Sequence, residues 1–386
     1  MRGGEGRAST GDILNLVREA GPTSRTNLAR LAGVAVSTVS LRVDRLIADG
    51  LVEEVGDGAS TGGRRPRLLR VSSTGSVVLA VDLGSRHARL GVMDLSKRPL
   101  AVTTEPVLLE EGPDVVLGQI CTHLDRLMEP LGRCTVRGIG IAVPGPVDPS
   151  SGRIVSPSRM PGWHDLAVGD ELSARFGAPA VVDNDANLLA LGEFQARRLR
   201  DGVRHLIAVK VGRGIGCGVI ASGSLHYGAI GAAGDITHVD ISGSGGPESR
   251  PCSCGKRGCL ETVASGAALL EDLAAAGHPA SGLPELVERV RGGDTLANMA
   301  VRVAGGRLGE VLAVVVNFFN PEVLVLGGIL SEAGPLVAAV RAAIYERCLP
   351  MASQSVDIGV ATLGADATLV GAAARILGRL TGAGAP

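Results

Sequence analysis

The chain has 386 residues, is 45% apolar but only 2% aromatic, and carries a formal net charge of −1, which allows two or three domains with aliphatic cores. No apolar run reaches the roughly eighteen residues that span a bilayer, and the amino-terminal MRGGEGRAST lacks a signal-peptide core; a membrane or secreted protein is not expected, and the cytoplasm is the expected location. The small net charge hides an asymmetry: residues 1–75 hold 11 Arg and no Lys against 8 Asp and Glu, a balance of +3, and the remainder holds 27 basic against 31 acidic groups, a balance of −4, so only the front of the chain leans toward a polyanion.

Residues 10–20 place Ile13, Leu14 and Val17 on one helical face, and Gly21-Pro22 ends that segment. Thr23 or Ser24 can cap a second helix at 25–32 with Leu28 and Leu31 inward; Gly33 then turns the chain into a third helix, 36–49, closed by Gly50. In this third helix Val39, Val43, Leu46 and Ile47 form the apolar stripe. At about 100° per residue, Ser37, Thr38, Leu41 and Arg45 project from the opposite side, with Arg42 on the flank. Two helices around a short glycine turn, the second with a polar outward face, make a helix-turn-helix. Its outward helix would enter the major groove, Arg45 or Arg42 reaching guanine edges or phosphate and Leu41 a thymine methyl. Arg25, opening the second helix, is a further candidate DNA contact. A strand at 51–55, a loop, and a strand at 67–71 read as a wing. Arg64, Arg65 and Arg67 around Pro66 resemble an arginine hook for an A·T-rich minor groove. A solvated basic linker is the alternative for the wing, and protein contact the alternative for the whole unit.

From residue 77 the chain reads as strands punctuated by glycine turns. Val77 to Asp82 enters the turn Leu83-Gly84-Ser85-Arg86-His87, and Ala88 to Met93 returns. Val136 to Val143 runs into Pro144-Gly145-Pro146-Val147-Asp148. Val181-Val182-Asp183-Asn184-Asp185 precedes a helix through Leu188, Leu189, Leu191 and Glu193, where Asn184 and Asp185 are equally good helix caps. Leu206 to Val211 leads into a glycine loop, Gly212-Arg213-Gly214-Ile215-Gly216, and Val323 to Leu326 into Gly327-Gly328. A last helix covers 366–380. Between these lies PCSCGKRGCLE, residues 251 to 261, holding three of the seven cysteines. Cys252, Cys254 and Cys259 with His238 upstream make a complete tetrahedral shell for zinc, with no position left for water, which marks a structural rather than a catalytic ion; inert buried thiols are the alternative.

Asp235-Ile236-Thr237-His238 followed by Cys-x-Cys-Gly-x-x-Gly-Cys-x-Glu closely resembles the signature of the ROK group (repressors, open reading frames and sugar kinases), with two changes in its first half, where the family has Glu-x-Gly-His. The resemblance covers nearly all of residues 10–380. It implies an α/β fold: an N-terminal winged helix-turn-helix at 1–75, then a two-lobed actin-like, ribonuclease H-like sugar-kinase domain with lobes at 76–197 and 198–386, the last helix packing back on the first lobe. The front segment resembles the amino-terminal half of ROK repressors, which the kinases lack, although Ala35-Val36 stand where that family often has a serine cap and a basic residue.

Residue by residue, the resemblance implies a sugar site at Gly145, Asn184, Asp185, Asp235, His238 and Glu261, with Pro161-Gly162-Trp163 beside it. Asp185 would be the general base if the domain phosphorylates a sugar. The nucleotide side would be Asp82 and Gly84, Gly212 and Gly214, Gly327 and Gly328, with ATP and Mg2+ as cofactors. There both phosphate loops depart from the family, which has a threonine where this chain has Arg86 and Arg213. Two outcomes stay open: the arginines displace the γ-phosphate and transfer is lost, or they bind phosphate directly. The resulting expectation is a sugar-responsive transcriptional regulator, a repressor of carbohydrate-utilisation genes. It would have a structural zinc, a palindromic, partly A·T-rich operator, a small sugar or sugar-derivative effector, and a homodimeric or higher state. A sugar kinase with a DNA-binding appendage and a zinc-dependent partner-docking protein are the alternatives.

Overall fold

Three helices and a small sheet come first in the computed structural model, which describes residues 9–57, 65–72, 75–155, 160–241 and 250–381. α1 (Thr10–Ala20) opens on a capping box: Ser9 Oγ accepts from the Asp12 amide, and the Asp12 carboxylate accepts from the Ser9 amide. β1 (Thr23–Ser24), α2 (Arg25–Ala32), α3 (Val36–Ala48), β2 (Val52–Asp57) and β3 (Arg67–Val71) follow, the strands ordered β1-β3-β2 and antiparallel. Ser24 serves both the sheet and the helix: it pairs with Leu68, and its side chain accepts from the Asn27 amide to cap α2. α2 has the expected bounds and Leu28 is buried as expected, whereas Leu31, in the last turn before the left-handed Gly33, is 44% exposed. α3 stops at Ala48, with Asp49 as its cap and Gly50 turning at φ 67°.

The body holds two five-stranded sheets of one design. β4 (Ser76–Leu83), β5 (His87–Met93), β6 (Pro99–Pro106), α4 (Pro113–Met128), β7 (Thr135–Val143), α5 (Val168–Phe176) and β8 (Ala180–Asn184) give the order β6-β5-β4-β7-β8. After α6 (Asp185–Asp201) come β9 (Leu206–Val211), β10 (Ile215–Ala221) and β11 (Ser224–Leu225). The helices α7 (Glu261–Ala264), α8 (Gly266–Ala275), α9 (Leu283–Arg291) and α10 (Thr295–Phe319) lead to β12 (Val323–Gly327). α11 (Gly334–Arg347), α12 (Pro350–Ser355) and β13 (Asp357–Val360) complete a sheet ordered β11-β10-β9-β12-β13, and α13 (Ala367–Thr381) ends the fold. Each sheet is an antiparallel meander of three strands extended by two parallel ones. β4 is buried at every position, as a strand covered on both faces must be, and this explains its unbroken apolar run.

The two halves meet at a helix pair. α13 lies on β4 and β7, α6 lies on β9 and β10, and the two helices pack on each other. Glycines permit that approach: a Cβ at Gly371 would collide with the Leu188 carbonyl, and one at Gly192 with the Ala367 carbonyl. The division expected at 197/198 falls inside α6, which runs to Asp201. α13 also touches α1, and one apolar cluster runs from Ile13, Leu14 and Leu46 to Ile376 and Leu377. Among the described residues, no helix is long and apolar enough to cross a membrane.

Candidate functional site

Where β4, β9 and α6 converge, one ammonium meets two carboxylates. Lys210 Nζ lies 2.8 Å from Asp82 Oδ1 and 3.0 Å from Asp185 Oδ2. Burial works against the charged Lys210, but Asp185 and Asp82 more than offset it, and its pKa is raised. Burial also raises the pKa of Asp185, with Lys210 opposing and the like charge of Asp82 adding to it. The imidazole of His87 packs against Gly84, and burial lowers its pKa despite Asp82 nearby.

Asn184 caps α6: its side-chain oxygen accepts from the amides of Ala186 (2.9 Å) and Asn187 (3.4 Å). Its Nδ2 donates to the Gly145 carbonyl at 3.0 Å, so the structure brings Asn184 and Gly145 together and leaves one amide hydrogen for a ligand. Beneath this turn Asp183 is buried and fully engaged. It accepts from the Asn184 amide (2.8 Å), Asn187 Nδ2 (3.0 Å) and the Tyr227 hydroxyl (2.5 Å), and Arg375 Nε of α13 stands 3.4 Å away. The Arg375 guanidinium also lies 5.6 Å from the centre of the Tyr227 ring. Sequence reasoning missed Lys210, Asp183, Tyr227 and Arg375 as parts of the site; the signal was a lysine inside the otherwise apolar strand LIAVKV.

The remaining candidate residues lie on the segment leading to α7. Asp235 is exposed, and its Oδ1 accepts from the Thr237 amide at 3.2 Å. Thr237 is buried and donates its hydroxyl to the Ile215 carbonyl at 2.8 Å, so the residue replacing the family's glycine is satisfied by β10. The Thr237 carbonyl accepts from the amide of buried Glu261, which places His238 and Glu261 on adjoining backbone. A loop of this half crosses to the first lobe: a Cβ at Gly231 would meet Pro149 and the Val147 carbonyl at under 3 Å. Trp163 is buried and donates Nε1 to the Leu109 carbonyl at 3.4 Å, so its ring is part of the core rather than a free face beside the cleft.

His238, Cys252, Cys254 and Cys259 converge, their ligand atoms all within 4.8 Å of one another. Cys252 Sγ is 3.5 Å from His238 Nδ1, and Cys254 Sγ is 3.7 Å from Cys259 Sγ. Ordinary Zn–S and Zn–N bonds give tetrahedral S···N and S···S edges of about 3.6 and about 3.8 Å, so the donor set fits zinc in type and in spacing. Gly255 (φ 87°) and Gly258 (φ 74°) turn the backbone in the left-handed region to allow it. Without a cation, burial and then the neighbouring sulfurs push the Cys259 thiol up to about 12.

The glycine loops also come together. The Gly212 carbonyl accepts from the Gly266 amide at the start of α8, a Cβ at Gly328 would meet the Val211 carbonyl, and the Gly212 amide donates to Gly214. Gly327 packs against Leu189 of α6. Arg86 and Arg213 are both exposed.

On the winged helix the candidates divide. Ser37, Leu41 and Arg45 are exposed on α3, with Leu41 at 75%, Thr38 is half-buried, and Arg65 is exposed before β3. Arg25 is instead a staple, paired with Asp44 (2.7 Å) and Glu54 (3.3 Å) across α2, α3 and β2. Arg67 pairs with Glu54 at 2.6 Å. Arg42 is half-buried, and its Nη1 has no hydrogen-bond partner among the described residues. Arg64 lies outside the described residues. Arg45 stands 3.9 Å from Asp49 and lines a crevice with Leu46, Leu380 and Thr381, where α3 meets the end of α13.

A two-lobed body of the sugar-kinase type with a winged helix-turn-helix in front defines the class. The ROK family model matches residues 78–378, a winged helix-turn-helix DNA-binding model matches residues 7–53, and the chain belongs to the ROK family. It is 31% identical over 381 residues to a putative xylose repressor of Caldicellulosiruptor sp. (strain Rt8B.4), covering 95% of this chain and 94% of that protein. Among solved structures it resembles a ROK family transcriptional regulator described as a homologue of the E. coli MLC protein, with a TM-score of 0.76, 26% identity and 94% of each chain covered. It also resembles a ROK family glucokinase from Streptomyces griseus in complex with glucose and AMPPNP, with a TM-score of 0.67, 26% identity, and 78% of this chain and 99% of that one covered.

Proposed function

We propose that the protein is a sugar-responsive transcriptional repressor in which the winged helix binds operator DNA and the ROK body senses a small sugar. One observation carries this reading. α13 touches both ends of the signal: Arg375 reaches Asp183, directly before Asn184 and Asp185, while Leu380 and Thr381 border Arg45 of α3. A sugar that engages Asp185 and the remaining Asn184 amide hydrogen acts on the turn that Arg375 holds. The differential affinity of the two states of α13 for sugar and for DNA then couples the sites.

The sugar pocket comprises Gly145, Asn184, Asp185, Asp235, His238 and Glu261. Zinc on His238 Nδ1 and the three cysteines is structural: it fixes the wall that carries Glu261 and leaves His238 Nε2 for a sugar hydroxyl. Asp235, shorter by a methylene than the family's glutamate, alters which hydroxyl is matched, and polar pockets discriminate strongly because an unmatched buried partner is costly. Base contacts fall to Ser37, Thr38, Leu41 and Arg45, and minor-groove contacts to Arg64 and Arg65. Arg25 and Arg67 shape the fold of the unit. A homodimer places two α3 helices on a palindrome one helical turn apart. The xylose repressor among its relatives makes aldopentoses the first class to try, followed by aldohexoses and N-acetylhexosamines.

Melting with zinc retained and ATP omitted identifies the effector. A sugar at a hundred times its Kd adds about 2.7 kcal/mol of stability. That sugar should then shift operator binding measured by anisotropy. A sugar that stabilises the protein without changing operator affinity would count against the repressor reading. ATP-dependent phosphorylation of that sugar at an ordinary enzyme turnover would favour the kinase.

A further inference from the structure

Kinases of this fold need a divalent cation with their nucleotide, and the residues present do not fit one. The two carboxylates best placed to hold it, Asp82 at the end of β4 and Asp185 at the start of α6, already share the ammonium of Lys210, at 2.8 and 3.0 Å. Mg2+ binds carboxylate oxygens at about 2.0–2.1 Å and keeps much of its water, so an ion on these same oxygens would lie in direct contact with the ammonium. All three side chains are largely withdrawn from solvent, their exposures being 9% for Asp82, 13% for Asp185 and 18% for Lys210. Repulsion between the two cations would therefore be weakly screened. Turning the lysine away would give up both of its ion pairs, a loss that an incoming ion would have to offset.

We infer that Lys210 is a built-in cation: it occupies the place of the metal between Asp82 and Asp185 and makes this cleft refuse a metal–nucleotide complex while remaining open to a neutral sugar. One side chain thus disables both requirements of phosphoryl transfer. The cation has no seat, and the candidate base is hydrogen-bonded to a proton donor. Arg86 and Arg213, exposed on the two loops, are not needed for this effect. Lys210 also joins the halves of the body, since β9 belongs to the second sheet and β4 to the first. Loss of catalysis and the tie between the two halves come from the same side chain.

The test uses the full chain with zinc retained, titrated with Mn2+ without nucleotide, which would itself chelate the ion, and read by the loss of the free-ion electron paramagnetic resonance signal. Wild type, Lys210→Met, Asp82→Asn and the double variant are compared, with circular dichroism confirming the fold. Lys210→Gln replaces the methionine variant if that one does not fold. Wild type is expected to show no saturable site, and the lysine variant to gain one at least about tenfold tighter, equivalent to about 1.4 kcal/mol. The double variant should lose it again. A saturable Mn2+ site in wild type that Asp82→Asn removes would overturn the inference, as would a folded lysine variant that gains nothing. Sugar-induced stabilisation of the wild type in metal-free buffer reports the sensor reading separately, so the two cannot fail unnoticed together.

Discussion

The structure holds two anionic clusters, and they differ in where their positive charge comes from. The group of His238, Cys252, Cys254 and Cys259 has no cation among its own side chains, and its buried thiol is pushed up to about 12 unless one arrives. The pair Asp82 and Asp185 carries its own cation in Lys210. The first cluster therefore calls for an external ion and the second excludes one. On the proposed reading, a kinase scaffold becomes a sensor by keeping a metal cluster beside the sugar site while internalising the charge that chemistry would need from outside.

The contrast is broken most forcefully at the cysteines. Cys259→Ser should release the bound zinc and lower the melting temperature by at least about 5 °C, because metal binding at such a site is folding free energy; metal analysis and calorimetry check it. Arg375→Ala, on the path out of the cleft, removes a partner from buried Asp183. It should cost about 2–3 kcal/mol and blunt the sugar-dependent change in operator affinity more than the affinity itself, read by anisotropy with and without sugar. On the DNA side, Arg45→Ala should weaken operator binding by about 1–3 kcal/mol, with the fold intact. Arg25→Ala should instead leave base preference unchanged and lower stability by under about 1 kcal/mol, seen in urea melts. The smallest effect is a pH dependence. Burial holds the His87 pKa below its ordinary value of 6.5, so its contribution is present above 6.5 and is lost as the pH falls below it. His87→Gln should flatten the fall in stability below pH 6.5, read from melting curves at stepped pH.

The zinc cluster was legible in the sequence because three of its four ligands lie within eight residues, with the glycines that bend them together. The helix-turn-helix was legible because its helices are amphipathic and Ser24 caps α2, although α3 starts at Ala35 without a side-chain cap; the strand–turn rhythm of the body was legible because its glycines sit at strand ends. Lys210 was not, since its partner Asp82 lies 128 positions away and only the packing of two sheets brings them together. Attention went instead to Arg86 and Arg213, which stand in the loops but are exposed. Arg25 misled for a similar reason: an arginine at the start of a helix looks available until Asp44 and Glu54 are folded against it. Asn184 caps α6, as the alternative reading allowed, and that cap uses its side-chain oxygen while one amide hydrogen stays clear of the Gly145 bond. The long α10 left no clear trace because glycines and small apolar residues on its buried face blur the amphipathic period, and exposed Met299, Val303, Val314 and Phe318 blur its outer face.

Native mass spectrometry after incubation with Mn2+ and AMPPNP counts the cations each cluster holds. The expected result is one zinc per chain and no bound manganese, with the zinc lost in Cys259→Ser and manganese gained in Lys210→Met. A zinc-free wild-type chain, or one carrying a manganese ion that disappears in Asp82→Asn, would contradict the division of charge on which this sensor is built.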